Sequence, residues 1–281
     1  MDDYSAWVGR SETREDVATA APLAGLAALL DHDVSPWEAG MVPPLGHWLY
    51  FLPTARQSAI GEDGHPRRGE HGLLPPVPLP RRMWAGSRID FLSPIPVGAA
   101  LTRATTIDAI RPKRGASGDL LFVTLRHEIS ANGAPAIREE QDIVFREAAS
   151  AAPAPAAAAT VATAEPAPEP VDAVRRIAPD PVLLFRYSAL TFNAHRIHYD
   201  RDYAVGVEGY AGLVVHGPLI ATLLMDHGLR AGLVPRSFTF RAEAPLVDGV
   251  PFDLCLVRGG DGARLWARDA AGRTAMHANL A

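Results

Sequence analysis

Two stretches in the second half of the chain hold the residue types that could do chemistry. Leu184 to Asp200 places Asn193, His195 and His198 within six positions, and Val207 to Pro218 ends on His216-Gly217-Pro218. Histidine exchanges a proton near neutral pH and so serves as a general acid or base. Asparagine cannot take a proton, but its carbonyl oxygen and amide can hold and orient a water. His195 and His198 stand at i, i+3, as a metal pair could. No carboxylate or cysteine is placed nearby as a third ligand, so no metal and no other cofactor is expected. The run Pro218 to Gly228 (PLIATLLMDHG) is apolar on nearly every face. It reads as a buried helix with Pro218 in its first turn and Gly228 at its stop. The N-terminus of such a helix presents unpaired N–H groups and a positive dipole end to an oxygen that gains charge. Gly217 lets a carbonyl come close to that backbone. His216 reads either as a participant or as a capping or core residue.

These residues need a scaffold, and the chain of 281 residues, 48% hydrophobic, is long enough to build a substantial core. Residues 149–171 are almost wholly Ala, Pro, Thr and Glu; the prolines block a helix and favour an extended linker. It divides the chain into residues 1–148 and 172–281. The halves share a faint repeat. Gly86 to Gly98 alternates apolar and polar residues, breaks at a Pro/Gly corner and resumes at Leu101 to Ile107; Phe238 to Gly249 does the same and resumes at Phe252 to Val257. Further strands are predicted over Leu120–Ile129, Ala136–Phe145, Ala263–Arg268 and Thr274–Leu280. Ahead of the strands in the first half, an amphipathic helix is predicted over Glu15–Leu30 and a second, buried one over Gly46–Leu52. A buried helix followed by a curved antiparallel sheet is an α+β layout in which the sheet wraps the helix.

Charge and cysteine content narrow the function. The net charge of -5 gives no basic field for a phosphate backbone, so nucleic acid is not an expected partner. Cys255 is the single cysteine, which excludes an internal disulfide or a cysteine-based zinc site. The start is acidic and no run of about 18 apolar residues appears, so no membrane association and a cytoplasmic location are expected.

Thr191-Phe192-Asn193-Ala194-His195-Arg196-Ile197-His198-Tyr199, with Gly212-Leu213-Val214-Val215-His216-Gly217-Pro218-Leu219, resembles the signature of the MaoC-type, or hydratase 2, hotdog family. In that signature a loop ending in His is followed by a His-Gly that opens the hotdog helix. The resemblance is closer to the branch that holds mesaconyl-C4-CoA hydratases (3-methylfumaryl-CoA hydratases) and yeast-type 3-hydroxyacyl-thioester dehydratases. In the first half, Trp7-Val8-Gly9-Arg10, Trp48 to Leu52, Arg82 to Gly86 and Glu140 to Val144 resemble the degenerate hotdog domain of that branch. The implied fold is a double hotdog, two antiparallel sheets each wrapping a central helix, with the working half C-terminal. The sequence departs from the broader family in holding Asn193 and His195 where an aspartate and an asparagine usually stand.

The implied reaction is reversible hydration of an enoyl-thioester carried by coenzyme A or an acyl carrier protein, the acyl group being short and, in the closer branch, dicarboxylic. It needs a base for water, an acid for the α-carbon and stabilisation of an enolate oxygen. His198 is assigned the base, Asn193 the positioning of water, and Gly217 the oxyanion contact. His195, Arg196, His216, Tyr199 and Arg201 are assigned to substrate binding. Arg111, Lys113, Arg114, Arg196 and Arg201 are candidates for the phosphates of the thioester carrier, and Trp37, Trp48 and Trp84 for the acyl pocket. A non-catalytic thioester binder and a hotdog thioesterase remain as rivals; the latter wants a carboxylate, for which Asp200 and Glu208 are nearest. Two hotdogs in one chain already supply the pair that single-hotdog proteins reach by dimerising, and a homodimer of this chain is a further expectation.

Overall fold

The computed structural model describes residues 3–69, 72–115, 118–147, 170–260 and 262–281. Of the expected linker only Pro170 and Val171 fall within them. The first half contains β1 (Ser11–Val17), α1 (Ala20–Leu29), β2 (Arg81–Phe91), β3 (Ala100–Gly115), β4 (Gly118–Ala131) and β5 (Ala134–Arg146). The second contains β6 (Ala173–Ile177), α2 (Pro181–Thr191), α3 (Arg201–Gly206), α4 (Gly217–Arg230), β7 (Ser237–Ala242), β8 (Phe252–Gly259), β9 (Gly262–Arg268) and β10 (Thr274–Leu280). Among the described residues, no helix is long and apolar enough to cross a membrane.

Two helices of the first half differ from expectation. Glu15 to Val17 belong to β1, and the helix starts only at Ala20. The run Ser-Glu-Thr-Arg-Glu-Asp-Val has no apolar alternation to announce a strand. It forms one because it lies at a sheet edge, paired to β3 alone, where charged side chains keep further strands from adding. The stretch Gly46–Leu52 supplies only a single 3-10 turn, Gly46–Leu49. Prolines at 43, 44 and 53 bracket it, and the residue before a proline is driven extended. Leu45 and Phe51 adopt φ of +66° and +55°, so no α-helix can continue through them. The central helix of the second half is fully formed. α4 is buried continuously from Leu219 to Gly228 and runs on to Arg230, past the expected stop at Gly228.

The strands form one antiparallel sheet in the order β1-β3-β4-β5-β2-β7-β10-β9-β8-β6. Read outward from the centre, the two halves repeat one arrangement, which is the structural form of the faint sequence repeat. The two sheets expected, one per half, are thus joined edge to edge. Gly86 to Asp90 of β2 pair with Arg241 to Ser237 of β7, so the middle edge of each half is satisfied by the other. Local signals build the rest: Asn132-Gly133, with φ of +50° and +83°, makes the tight turn between β4 and β5.

The core is continuous across the seam. One buried cluster takes Leu26, Leu29, Leu49 and Ile89 from the first half together with Leu184, Leu219, Leu224 and Phe238 from the second. A smaller cluster of Tyr4, Val77, Ile107, Val123 and Phe145 lies within the first half. The seam admits no side chain at Gly86, where a Cβ would sit 2.3 Å from the Phe240 carbonyl oxygen. Because backbone on a paired strand cannot retreat, Gly86→Ala is expected to cost about 3 kcal/mol. Urea unfolding checks this; a loss below about 1 kcal/mol, the ordinary cost of a point substitution, would mean the seam relaxes freely.

Candidate active site

The loop that carries Asn193, His195 and His198 is built between two helices, α2 and α3. Asp180 caps α2, its Oδ1 accepting from the Leu183 N–H at 2.7 Å, and Pro181 fills the first turn. At the other end Phe192 takes φ +48°, and the Asn193 N–H donates to the Ser188 carbonyl at 2.9 Å, which turns the chain sharply out of the helix. The Asn193 Oδ1 then accepts from the His195 N–H at 3.0 Å. The carbonyl oxygen expected to hold a water thus already shapes the loop with one lone pair, leaving the other and the amide group for a water.

His198 closes the 3-10 turn Arg196–His198 and is 6% exposed. Its Nδ1 lies 2.7 Å from the Val214 carbonyl oxygen. A carbonyl can only accept, so Nδ1 carries the hydrogen and the lone pair of the neutral ring sits on Nε2. No group among the described residues bonds that Nε2. Burial lowers the His198 pKa from 6.5 to about 4, keeping the ring neutral and able to accept a proton at ordinary pH.

His216 stacks on His198, with ring centroids 3.6 Å apart and planes 18° from parallel. Its Nε2 meets the Ser188 Oγ at 2.9 Å and its Nδ1 is buried without a partner. It sits at the cap position of α4, but its side chain makes no capping bond, so it supports His198 rather than the helix. Gly217 follows as the first residue of α4. The N–H groups of Gly217 and Leu219 have no partner within the helix, as in any first turn, and Pro218 has none to offer. The backbone of β2 passes this point, a Cβ on Gly217 lying 3.8 Å from the Trp84 carbonyl oxygen.

The other expected binding residues separate into two groups. His195 lies beside His198, its ring centroid 5.4 Å away. Arg196, Tyr199 and Arg201 make bonds that brace the loop. Arg196 pairs with Asp200 at 2.7 Å, donates to the Glu62 carbonyl at 3.1 Å and packs over Tyr203. The Tyr199 hydroxyl donates to the Ala194 carbonyl at 3.0 Å. Arg201 pairs with Asp248, whose other oxygen accepts from the Leu213 N–H at 2.8 Å. Arg111, Lys113 and Arg114 lie on the exposed end of β3, which β4 and β5 separate from β2. The two carboxylates a thioesterase would want are occupied: Asp200 caps α3 and holds Arg196, and Glu208 is paired with Arg81 at 3.0 Å.

The first half also reaches into the site, which its sequence did not announce. Gly64, at φ +90°, lies so close to the loop of His195 and His198 that a Cβ would be 1.8 Å from the Ala194 carbonyl oxygen. The Arg196 N–H donates to the Asp63 carbonyl at 2.9 Å. The contact brings the His65 ring to 4.2 Å from that of His195, and the Asp63 carboxylate accepts from His65 Nδ1 at 2.9 Å. Burial would raise the Asp63 pKa, but the hydrogen bond and charge of His65 outweigh it and bring it to about 2. Asp63, His65 and His195 offer one ligand atom each within 4.8 Å of one another, a group that includes only one member of the His195–His198 pair weighed from the sequence. The Arg82 guanidinium, which depresses both imidazoles, opposes a dication there.

Of the three expected acyl-pocket tryptophans, two meet at the seam and Trp37 stands apart against His32. Trp48 and Trp84 are 4.9 Å apart, edge to face. The Trp48 indole donates to Glu139 at 3.1 Å, as does the buried His47 at 3.0 Å. The Trp84 indole donates to Ser87 at 2.9 Å, which donates in turn to Glu139 at 2.7 Å. Burial alone would raise Glu139, but the bond and charge of His47 pull it down to about 2. The carboxylate thus fixes both rings.

The sequence profile of the hydroxyacyl-thioester dehydratase type 2 family matches residues 45–248, covering both the first-half loop and the His198 to Gly217 site. The chain belongs to the hydroxyacyl-thioester dehydratase type 2 family. It is accordingly a hydro-lyase of acyl thioesters. A mesaconyl-C(4)-CoA hydratase of Chloroflexus aurantiacus is 47% identical over 283 residues, 99% of this chain and 97% of the relative. In fold the chain is similar to HtdX of Mycobacterium tuberculosis, with a TM-score of 0.69 at 20% identity over 96% of this chain and 99% of that one. A second M. tuberculosis protein, described as having a double hotdog fold, gives 0.57 at 15% identity over 97% and 95%. The dehydratase therefore has the expected double-hotdog fold.

Burial lowers the pKa of His65, His195, His198 and His216, so the folded dehydratase holds them neutral where an unfolded chain would protonate them. Their contribution is fully present above pH 6.5 and is lost as pH falls, down to about 4 for His198 and about 2 for His195. The Tm is expected to fall between pH 6.5 and about 5, above the values of 4.5 and 3.8 at which Glu139 and Asp63 of the unfolded chain take up protons. Thermal melts across that interval check it, and a flat profile would contradict burial of neutral imidazoles.

Proposed function

We propose that the chain reversibly hydrates a short, branched, dicarboxylic enoyl-CoA of the mesaconyl-C4 type, with His198 as the single proton-transfer group. The acyl class and the coenzyme A carrier are taken from the Chloroflexus relative, which matches nearly end to end. The observation that supports the chemistry best is the His198 Nδ1–H bond to the Val214 carbonyl, which leaves the Nε2 lone pair beside the N-terminus of α4.

In the forward direction Nε2 takes a proton from water and the water oxygen bonds to the carbon β to the thioester. The double-bond electrons move to the thioester carbonyl, whose oxygen becomes an enolate held by the Gly217 N–H and the dipole of α4. The α-carbon then takes the proton back from Nε2–H as the carbonyl re-forms. His216 and His195 flank the imidazole and bury its ring faces, while Asn193 sets the loop. Labour divides by half: residues 172–281 supply the reacting groups, residues 1–148 close the site from across the seam, and 149–171 link them.

Incubation with mesaconyl-C4-CoA and crotonyl-CoA, followed by mass spectrometry, tests the reading. Gain of one water supports it, release of free coenzyme A would make the protein a thioesterase, and an unchanged thioester would make it a binder. His198→Ala is expected to lower hydration by about a hundred- to ten-thousandfold. The acid limb of kcat/KM is expected near pH 4 rather than near 6.5, since activity needs His198 neutral and burial depresses its pKa. An acid limb at 6.5 would place the base elsewhere.

A further inference from the structure

The proton that His198 takes from water turns its ring into a buried cation, and the site offers that cation few partners. Among the described residues its one hydrogen-bond partner is the Val214 carbonyl, which accepts from Nδ1–H at 2.7 Å. No carboxylate bonds it: Asp63 is held by His65, and Asn193 carries no charge. A charge formed at a buried position without support is costly. Whatever lies against the two faces of the ring therefore bears on the rate.

Three other imidazoles gather about His198. His195 stands perpendicular to it, 88° away in plane and 5.4 Å in centroid, and His65 lies beyond His195 at 4.2 Å. His216 alone lays its face on the ring, at 3.6 Å and 18°. Two neighbours on α2 hold it in that pose. The Ser188 Oγ meets its Nε2 at 2.9 Å, and Tyr187 packs against it at 64° with centroids 5.0 Å apart. The same surroundings keep His216 neutral. A second proton would make both ring nitrogens donors, and Nδ1 is buried with no acceptor. Burial and the adjoining His198 and His195 lower its pKa in the same sense. A neutral aromatic face attracts a cation placed over it, whereas a second cation there would repel it.

We propose that His216 is a positioning residue whose neutral ring face stabilises the His198 imidazolium while it carries the proton from water to the α-carbon. This rests on the reading of His198 as the base given above. The Nε2–H bond forms as the water O–H bond breaks, and it breaks in turn when the α-carbon takes the proton; His216 neither gains nor loses one. With 0% of its surface exposed, His216 acts through His198 and not on the thioester. Its stacked face gives the support that a carboxylate would otherwise provide.

The test compares wild type, His216→Phe, His216→Leu and His198→Ala on mesaconyl-C4-CoA and crotonyl-CoA, with thermal melts of all four. Phenylalanine keeps a flat π face without a ring nitrogen, and leucine fills the space without a face. In His216→Leu kcat is expected to fall about five- to thirtyfold, the loss of one cation–π contact in a desolvated site, with KM little changed. His216→Phe should stay within about threefold of wild type, since the face remains. Added to His198→Ala, His216→Leu should lower the residual rate no further, because both changes remove one interaction. Equal losses in folded Phe and Leu variants, an undiminished kcat in His216→Leu, or full additivity with His198→Ala would each overturn the assignment while leaving the base standing. Should His216→Leu fail to fold, His216→Met makes the same comparison. Retention of more than about a tenth of the rate by His198→Ala would instead defeat the reading of the base, and the role of His216 with it.

Discussion

The pairing of β2 with β7 is the constraint on which the rest of the molecule depends. Each half of the sheet, taken alone, would present an unsatisfied edge and part of a core. Joined along Gly86 to Asp90 and Ser237 to Arg241 they bury both. The same pairing sets β2 against the N-terminus of α4 and brings the Asp63–His65 loop onto Ala194. A cluster of buried histidines that lies mostly in one half is thereby closed by the other.

Within that site burial decides the protonation states. His198, His195 and His216 are each below a tenth exposed, and no carboxylate touches any of them, so desolvation dominates and the rings stay neutral. In the neighbouring network the opposite holds. Glu139 is equally buried, yet it accepts from His47, Trp48 and Ser87, and those bonds keep it charged. The two clusters show one rule: a buried ionisable group keeps its charge only when enough donors or counter-charges surround it.

The sequence revealed most where local pattern and packing agree. α4, β8, β9, β10 and the repeated strand–corner–strand unit were legible from periodicity, and the His198 loop from its motif. It misled where tertiary context overrides pattern. β1 is polar because it is an edge strand, and Gly46–Leu52 is apolar yet cannot be helical between its prolines. Arg196, Tyr199 and Arg201 stood in the motif as substrate contacts, and the structure shows them also bracing the loop, since residue type alone does not tell a substrate contact from a loop contact. Asp63, His65 and Arg82 lay beyond reach of the sequence, more than a hundred positions from His198. The one local hint was the Gly61-Glu62-Asp63-Gly64-His65-Pro66 turn, whose glycine serves a close approach visible only in three dimensions.

The outward-repeating strand order carries a consequence for how such a protein can change. In a symmetric pair of identical subunits every substitution appears twice, so a residue that helps one face of a pocket is forced on the other. Here the two copies are covalently joined and already unlike: one keeps the full α4, the other has a single turn at Gly46–Leu49. A substitution in the first half falls on one wall of one pocket. That broken symmetry lets one copy drift toward new acyl groups while the other stays bound to the demands of proton transfer.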